Sequence, residues 1–297
     1  MSIFIFGGGF TSRAFLRHLA GATQVFGTTR SREKASALEA LGAEPVIFDG
    51  ESLTAPAVHA LRQTQSLIVS IAPGEADPVL SAIEKTGGLS AVCPGLEWIG
   101  YLSTVGVYGD HDGAWVDETT TCKPVSTRSH ERLAAEAAWR EAADVAQTPL
   151  SIFRLSGIYG PGRNTFVNFD KGRARRLVKP GQVFNRIHAD DIATALELAR
   201  TQKANGIFNI TDDMPAPPQD VVTEAARIMG VEPPAEIDFE TADLTPMARS
   251  FYGENKRVSN AKAKAELGWQ PRFPTYEVAL DHLWRAGWRD EVKTLRT

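Results

Sequence analysis

Six residues near the start of the chain, Gly7-Gly8-Gly9-Phe10-Thr11-Ser12, have the types and spacing to hold a phosphate. Gly7 and Gly9 take the first two glycine positions of a G-x-G-x-x-G turn, and Ser12 stands at the third. Glycines there permit a tight turn and let backbone N–H groups approach a pyrophosphate at a helix N-terminus. Ser12 is small enough to keep the helix close to the strand before it, and Phe10 and Thr11 fall in the same candidate set. A plain strand-to-helix turn is the alternative. The apolar run 3–6 directly before the glycines puts the turn in the first strand–helix unit, where a dinucleotide fingerprint belongs.

After the second apolar run comes Gly27-Thr28-Thr29-Arg30-Ser31-Arg32. A site for NAD would carry Asp or Glu here to bond the ribose 2′-hydroxyl. Hydroxyls and guanidinium groups instead suit a 2′-phosphate, because Arg offers a forked set of donors to phosphate oxygens. Thr29, Arg30 and Ser31 are the candidates, and the cofactor expected is NADP(H) rather than NAD(H). Two arginines at a helix start are electrostatically unfavourable unless an anion joins them, the alternative being solvated surface residues. Asp49, ending the third run, suits either the adenine amino group or a helix cap. Ala72 and Pro73, after the fourth run, would line the nicotinamide half.

The elements that must position these residues are legible in the alternation of short apolar and longer amphipathic runs. Strands are expected over 3–6, 24–27, 44–48, 66–71, 98–103 and 151–155. Helices are expected over 11–20, 31–41, 53–61, 77–85 and 128–143. Such alternation implies right-handed βαβ crossovers and a parallel sheet, hence an α/β fold with a Rossmann-type doubly wound sheet. The expected division is a dinucleotide-binding domain over 1–165 and a smaller C-terminal substrate lobe over 166–297. About 186–212 is expected to return to the first domain, because 207–210 reads as a strand.

Further motifs follow in order: Tyr101-Leu102-Ser103-Thr104-Val105-Gly106-Val107-Tyr108-Gly109-Asp110; Leu133-Ala134-Ala135-Glu136; Arg154-Leu155-Ser156-Gly157-Ile158-Tyr159-Gly160-Pro161-Gly162; Arg186-Ile187-His188-Ala189-Asp190-Asp191-Ile192-Ala193; and Glu266-Leu267-Gly268-Trp269-Gln270-Pro271. With the glycine turn they make the chain resemble the extended short-chain dehydrogenase/reductase superfamily, in its epimerase/dehydratase branch. The resemblance implies a catalytic Ser or Thr at Thr104, with Ser103 beside the cofactor, and a YxxxK pair on the next helix. Alignment through 133–136 puts Arg128 at the Tyr position and Arg132 at the Lys position, as in atypical members that lose the pair. It also implies that the segment with Arg186 closes over the substrate, Arg186 being either a substrate contact or a surface ion pair, and Arg154 and His188 are the other substrate-binding candidates.

That replacement changes the chemistry. Reducing a carbonyl requires a proton for the developing alkoxide, which a phenol beside an ammonium can supply near neutral pH. Arg stays protonated, so Arg128 can bind an anion or an oxyanion but cannot shuttle a proton. Tyr108, in the same loop as Thr104, is either the substitute donor or a packing aromatic, with His130 and His188 as further candidates. Lys171, Arg173, Arg175, Arg176 and Lys179 form a basic run that is either a solvated face or a flank attracting an anionic substrate, such as a nucleotide diphosphate or a carboxylate.

Composition bounds the rest. A chain of 297 residues with 43% apolar content can bury a large core. A net charge of −4 gives no global field for nucleic acid or an anionic membrane. No apolar stretch approaches the ~18 residues of a membrane span, and the short run before the glycines lacks a basic leader, so a cytoplasmic protein is expected. Cys93 and Cys122 have no metal-type spacing and read as free thiols. Nucleophile-elbow, P-loop and zinc-binding histidine motifs are missing from the sequence, which leaves hydrolase and metal chemistry without support. A small carbonyl or hydroxyl substrate, anionic or nucleotide-sugar-like, and a homodimer are the expected partners. A non-catalytic dinucleotide sensor is the rival to an oxidoreductase or epimerase-like enzyme.

Overall fold

Ile3 and Ile5 face one side of the first strand and Phe4 and Phe6 the other, and all four are buried. A strand apolar on both faces must sit inside a sheet covered twice, which is the setting of parallel strands. The computed structural model describes residues 2–21 and 23–289. Its main sheet has β1 (Ser2–Phe6), β2 (Gln24–Thr29), β3 (Glu44–Ile47), β4 (Ser66–Val69), β5 (Trp98–Thr104), β6 (Leu150–Leu155) and β7 (Gly206–Ile210). The spatial order is β3-β2-β1-β4-β5-β6-β7, with every pairing parallel. The order reverses between β1 and β4, so a crevice opens beyond their carboxyl ends, where open α/β sheets bind ligands.

Helices cover both faces. Phe10–Leu19 and Ala189–Gln202 pack over Ile3, Ile5 and Phe153. Ala55–Leu61, Pro78–Lys85 and the long helix Thr127–Val145 pack over Phe4, Phe6 and Tyr101. Strand β7 adds to the edge of the sheet beside β6, so residues past the long helix return to it. The 266–271 motif docks on the helix Ala189–Gln202: buried Trp269 donates its ring N–H to the Asp191 carbonyl and to Thr194 Oγ1. The Asp191 carboxylate accepts the N–H groups of Arg272 and Phe273, which fixes the chain on its way into the second lobe. A separate core of Phe166, Val221, Tyr276, Leu280 and Leu283 holds that lobe together.

The helix expected over 31–41 is shorter. A 3-10 turn, Arg32–Lys34, precedes a single α-turn, Ser36–Glu39. Across both only Leu38 is buried, and a short helix with one tertiary anchor lacks the packed face that sustains helices in proteins. The consequence is functional, because Arg30 precedes and Arg32 begins a single 3-10 turn rather than a full helix. No helix among the described residues is long and apolar enough to cross a membrane.

Candidate active site

The glycine turn is built by close contacts. Gly7 has φ +101°, and a Cβ there would stand 3.1 Å from Ile71 Cγ1, so the ends of β1 and β4 nearly touch. Thr28 clamps the turn from β2: its hydroxyl accepts from Gly7 N at 2.8 Å and its carbonyl from Gly8 N at 2.9 Å. A Cβ on Gly8 would meet Leu38 Cδ2 at 2.8 Å and the Thr28 carbonyl oxygen at 3.1 Å, so a side chain there would have to displace Leu38. Ser12 donates its hydroxyl to the Gly7 carbonyl at 2.5 Å, tying the helix back to the turn. At Gly9 the surroundings change: among the described residues no atom lies within 4 Å of its Cβ position, and no side chain caps the helix it begins. Thr11 and Ser12 are buried, so what the helix start presents to that space is backbone N–H. A pyrophosphate fits this cradle.

Beside it, Arg30 and Arg32 are exposed, with no hydrogen bond or ion pair among the described residues. Thr29 donates its hydroxyl to the Ser31 carbonyl at 3.3 Å, and the Ser31 side chain caps nothing. Thr28, in the same stretch, is buried and committed to Gly7. Asp49 is exposed, and one carboxylate oxygen accepts from Glu51 N and Ser52 N, which holds its pKa below the usual carboxylate value. It caps a turn ahead of the next helix.

A cleft of about 1530 Å³ runs from the ends of β4 and β5 to the second lobe. Ala72, Pro73, Thr104, Arg128, Arg132 and Arg186 all line it. Thr104 Oγ1 accepts from Gly106 N at 3.1 Å, leaving its own proton to donate. Arg132 donates to the Leu102 carbonyl at 2.8 Å and the Tyr101 hydroxyl at 3.3 Å, so it is tethered to β5. Arg186 donates to the carbonyls of Phe184 and Ala216, both at 3.0 Å, and burial lowers its pKa. The basic run divides: Lys171 and Arg173 line the cleft, Arg176 pairs with Glu236 at 2.6 Å, and Lys179 donates to the Tyr252 carbonyl.

Five expected site residues lie elsewhere, and the roles expected of them are corrected. Tyr108 is 0% exposed and donates to Asn209 Oδ1 at 2.8 Å, and burial pushes its pKa up to about 12. It does not line the cleft, so it is a packing aromatic. Arg154 is 4% exposed and forms a two-pronged pair with Glu136, at 2.8 and 3.2 Å, while its guanidinium lies 4.8 Å over the Tyr108 ring. It braces β6 against the long helix instead of touching substrate. His188 is 1% exposed and packs between Tyr159 and Phe273. Its Nδ1 accepts from Asp190 N, making it a helix cap, and burial drops its pKa to about 4. Ser103, expected beside the cofactor, is buried and donates its hydroxyl to Glu136. His130 is exposed and does not line the cleft.

Sequence reasoning missed the hydroxyls at the start of the long helix. Ser126 caps it by accepting from Ser129 N, the two side-chain oxygens lie 2.9 Å apart, and both residues line the cleft. The signal was present as Ser126-Thr127 ahead of a helical run. Arg163 was missed too; it lines the cleft with its guanidinium 5.7 Å over the Phe10 ring, which brings the glycine-turn helix and the second lobe together.

Residues 79–211 match the NAD dependent epimerase/dehydratase family. A functionally unknown conserved protein from Silicibacter pomeroyi DSS is 44% identical, with a TM-score of 0.85 over 96% of this chain and 98% of that one. Protein YeeZ of Escherichia coli (strain K12) is 28% identical over 73% of this chain and 74% of its own length. A human epimerase family protein, solved with NADPH, shares the fold at 19% identity and a TM-score of 0.73, over 96% of this chain and 99% of that one. Four other curated relatives are matched over only 30–53% of their length. The motif order, the sheet order and these likenesses agree: the chain belongs to the NAD dependent epimerase/dehydratase family, as an atypical member with arginines at the Tyr and Lys positions.

Proposed function

We propose that the chain is an NADP(H)-dependent oxidoreductase or epimerase-like enzyme acting on a small anionic carbonyl or hydroxyl substrate. The observation that carries this reading is the open cradle at Gly9 with two unpaired guanidinium groups, Arg30 and Arg32, at the end of the neighbouring strand. A bound nicotinamide dinucleotide would accept or deliver hydride in the cleft. Gly7, Gly9 and the helix start would hold its pyrophosphate, Arg30 and Ser31 its 2′-phosphate, and Ala72 and Pro73 its nicotinamide half. Thr104 keeps its hydroxyl proton free to donate to the substrate. Neither Arg128 nor Arg132 gives up a proton, so proton exchange falls to the cleft hydroxyls and to water.

Titration of the purified protein with NADPH and NADH, followed by tryptophan and nicotinamide fluorescence, tests the reading. Selective NADPH binding is expected, and binding of neither ends it. Arg30→Ala is expected to weaken NADPH by roughly 1–3 kcal/mol, the size of a lost charge-assisted contact, and NADH far less. Equal weakening of both would move the 2′-phosphate elsewhere. Gly9→Ala is expected to cost under about 1 kcal/mol of stability, since the Cβ meets nothing and only the cap preference changes. Its affinity for either dinucleotide should nonetheless fall clearly, because the methyl group enters the cradle.

A second reading, a non-catalytic dinucleotide sensor, is favoured by arginines at both positions of the acid–base pair and by the burial of Tyr108. NADP(H)-dependent turnover of any carbonyl or hydroxyl compound, reduced in Thr104→Val with cofactor affinity intact, would remove it.

A further inference from the structure

The reacting end of the cleft is furnished almost entirely with donors. A Cβ on Gly106 would stand 3.0 Å from Ser129 Oγ and 3.4 Å from Thr104 Oγ1, so hydroxyls from β5 and from the long helix converge on one point in the cleft wall. Thr104 Oγ1 already accepts from Gly106 N, and Ser129 and Ser126 share one hydrogen bond between them. This leaves the Thr104 proton and one serine proton to be given away. Arg128 lines the same end, is exposed, and makes no hydrogen bond or ion pair among the described residues. Arg132, held by only one of its terminal nitrogens, stands one helical turn further along. Glu131 is the sole carboxylate lining this end among the described residues, and it forms no ion pair with either arginine. Glu254, the other acidic residue of the cleft, is paired with Lys256 at 2.6 Å.

Donors in excess and a cation without a partner fit a group that only accepts. A neutral sugar ring offers hydroxyls but no charge to meet Arg128. A carboxylate offers two coplanar acceptor oxygens that match the guanidinium fork, with lone pairs left for the hydroxyls.

We propose that this end of the cleft binds a carboxylate carried by the substrate, held by Arg128 with Thr104 and Ser129, which makes the substrate a hydroxy or oxo acid that presents its acid group beside the reacting carbon. The inference rests on the reading of the cleft as a substrate site next to a bound dinucleotide. It assigns Arg128 a binding role in place of the proton transfer its position would otherwise perform.

The test uses the full chain, with and without saturating NADP(H), titrated with oxalate, malonate, inorganic phosphate and glucose while tryptophan fluorescence and heat are recorded. Saturable binding of oxalate or malonate is expected, weakened at least about tenfold in Arg128→Ala, the size of one lost charge-assisted contact. Thr104→Val and Ser129→Ala should each weaken it less. Arg140→Ala, at the far end of the same helix and outside this cleft, should leave it unchanged. Arg128 is exposed and uncontacted, so its replacement should keep the melting temperature, which separates loss of the site from loss of the fold. Carboxylate binding indifferent to Arg128→Ala overturns the proposal, as does phosphate competing as well as the dicarboxylates. NADPH binding without any carboxylate response overturns it too, while leaving the cofactor reading intact; failure of NADPH itself to bind is the separate result that removes that reading.

Discussion

Glu136→Ala is expected to destabilise the protein by about 3–5 kcal/mol, the cost of leaving one member of a buried ion pair uncompensated. Glu136 is 1% exposed and is the one carboxylate that Arg154 pairs with among the described residues. The pair lies between the long helix and β6, and Glu136 also accepts the Ser103 hydroxyl from β5, so three elements meet on one carboxylate. Removing it strands the Arg154 charge beside the Tyr108 ring with one buried guanidinium nitrogen already lacking a partner. The melting temperature should fall by roughly 10 °C, given a few degrees per kcal/mol for a chain of this size. Glu136→Leu combined with Arg154→Met should recover most of the loss, because well-packed apolar replacements of a buried pair are often neutral. If the double variant melts as low as the single one, the Ser103 and Tyr108 contacts matter more than the charge, and the assignment of the pair as a brace is wrong. The same experiment bears on function: Arg154→Met should retain dinucleotide affinity, since the residue does not reach the cleft.

The contrast between Arg154 and Arg128 marks the limit of what the sequence can say. Both are arginines in family motifs, and the sequence suggests a ligand-binding role for each. What separates them is whether a carboxylate from another element arrives to neutralise the charge. For Arg154 it does, 18 positions earlier in the chain and across the helix–strand interface. For Arg128 it does not. Partners that meet through tertiary packing leave no periodic trace. His188 and Tyr108 are the same kind of case. Each lies in a motif near the sheet's carboxyl edge, and each is turned inward by one contact, the Asp190 N–H and the Asn209 side chain respectively.

The sheet was far more legible, because burial on both faces of parallel strands writes itself as short apolar runs such as 3–6 and 66–69. The glycine turn could be read from spacing alone. Its division of labour could not: Gly8 is crowded by Leu38, a residue of the poorly periodic stretch where the expected helix shrinks to single turns. The cleft hydroxyls Ser126 and Ser129 escaped notice for a related reason. A serine at a helix start reads as a cap, and here Ser126 caps and faces the cleft at once.

Gly109→Ala is expected to be among the most damaging single substitutions in the chain, at about 4 kcal/mol or more. Gly109 has φ +74° and ψ −149°, a combination open to glycine and costing other residues about 1–3 kcal/mol. A Cβ there would lie 1.8 Å from the Lys123 carbonyl oxygen, so backbone must move, and no side chain can swing aside to absorb the clash. The backbone that would move is tied down on every side. Lys123 N donates to the Tyr108 carbonyl at 3.1 Å, Lys256 Nζ to the Gly109 carbonyl at 2.7 Å, and Asn255 N to Asp110 Oδ1 at 2.7 Å. Gly109 is therefore where the loop after β5, the approach to the long helix and the 255–256 segment of the second lobe are pinned together. Gly106 and Lys256, on either side of this junction, line the cleft. If the fold survives the substitution, the damage should concentrate there: dinucleotide binding at the glycine turn largely kept, carboxylate binding lost, and the 105–125 loop newly open to protease. Unchanged melting and unchanged protease resistance would mean that the Lys123 carbonyl yields easily, and that the second lobe is held to the sheet by its other contacts.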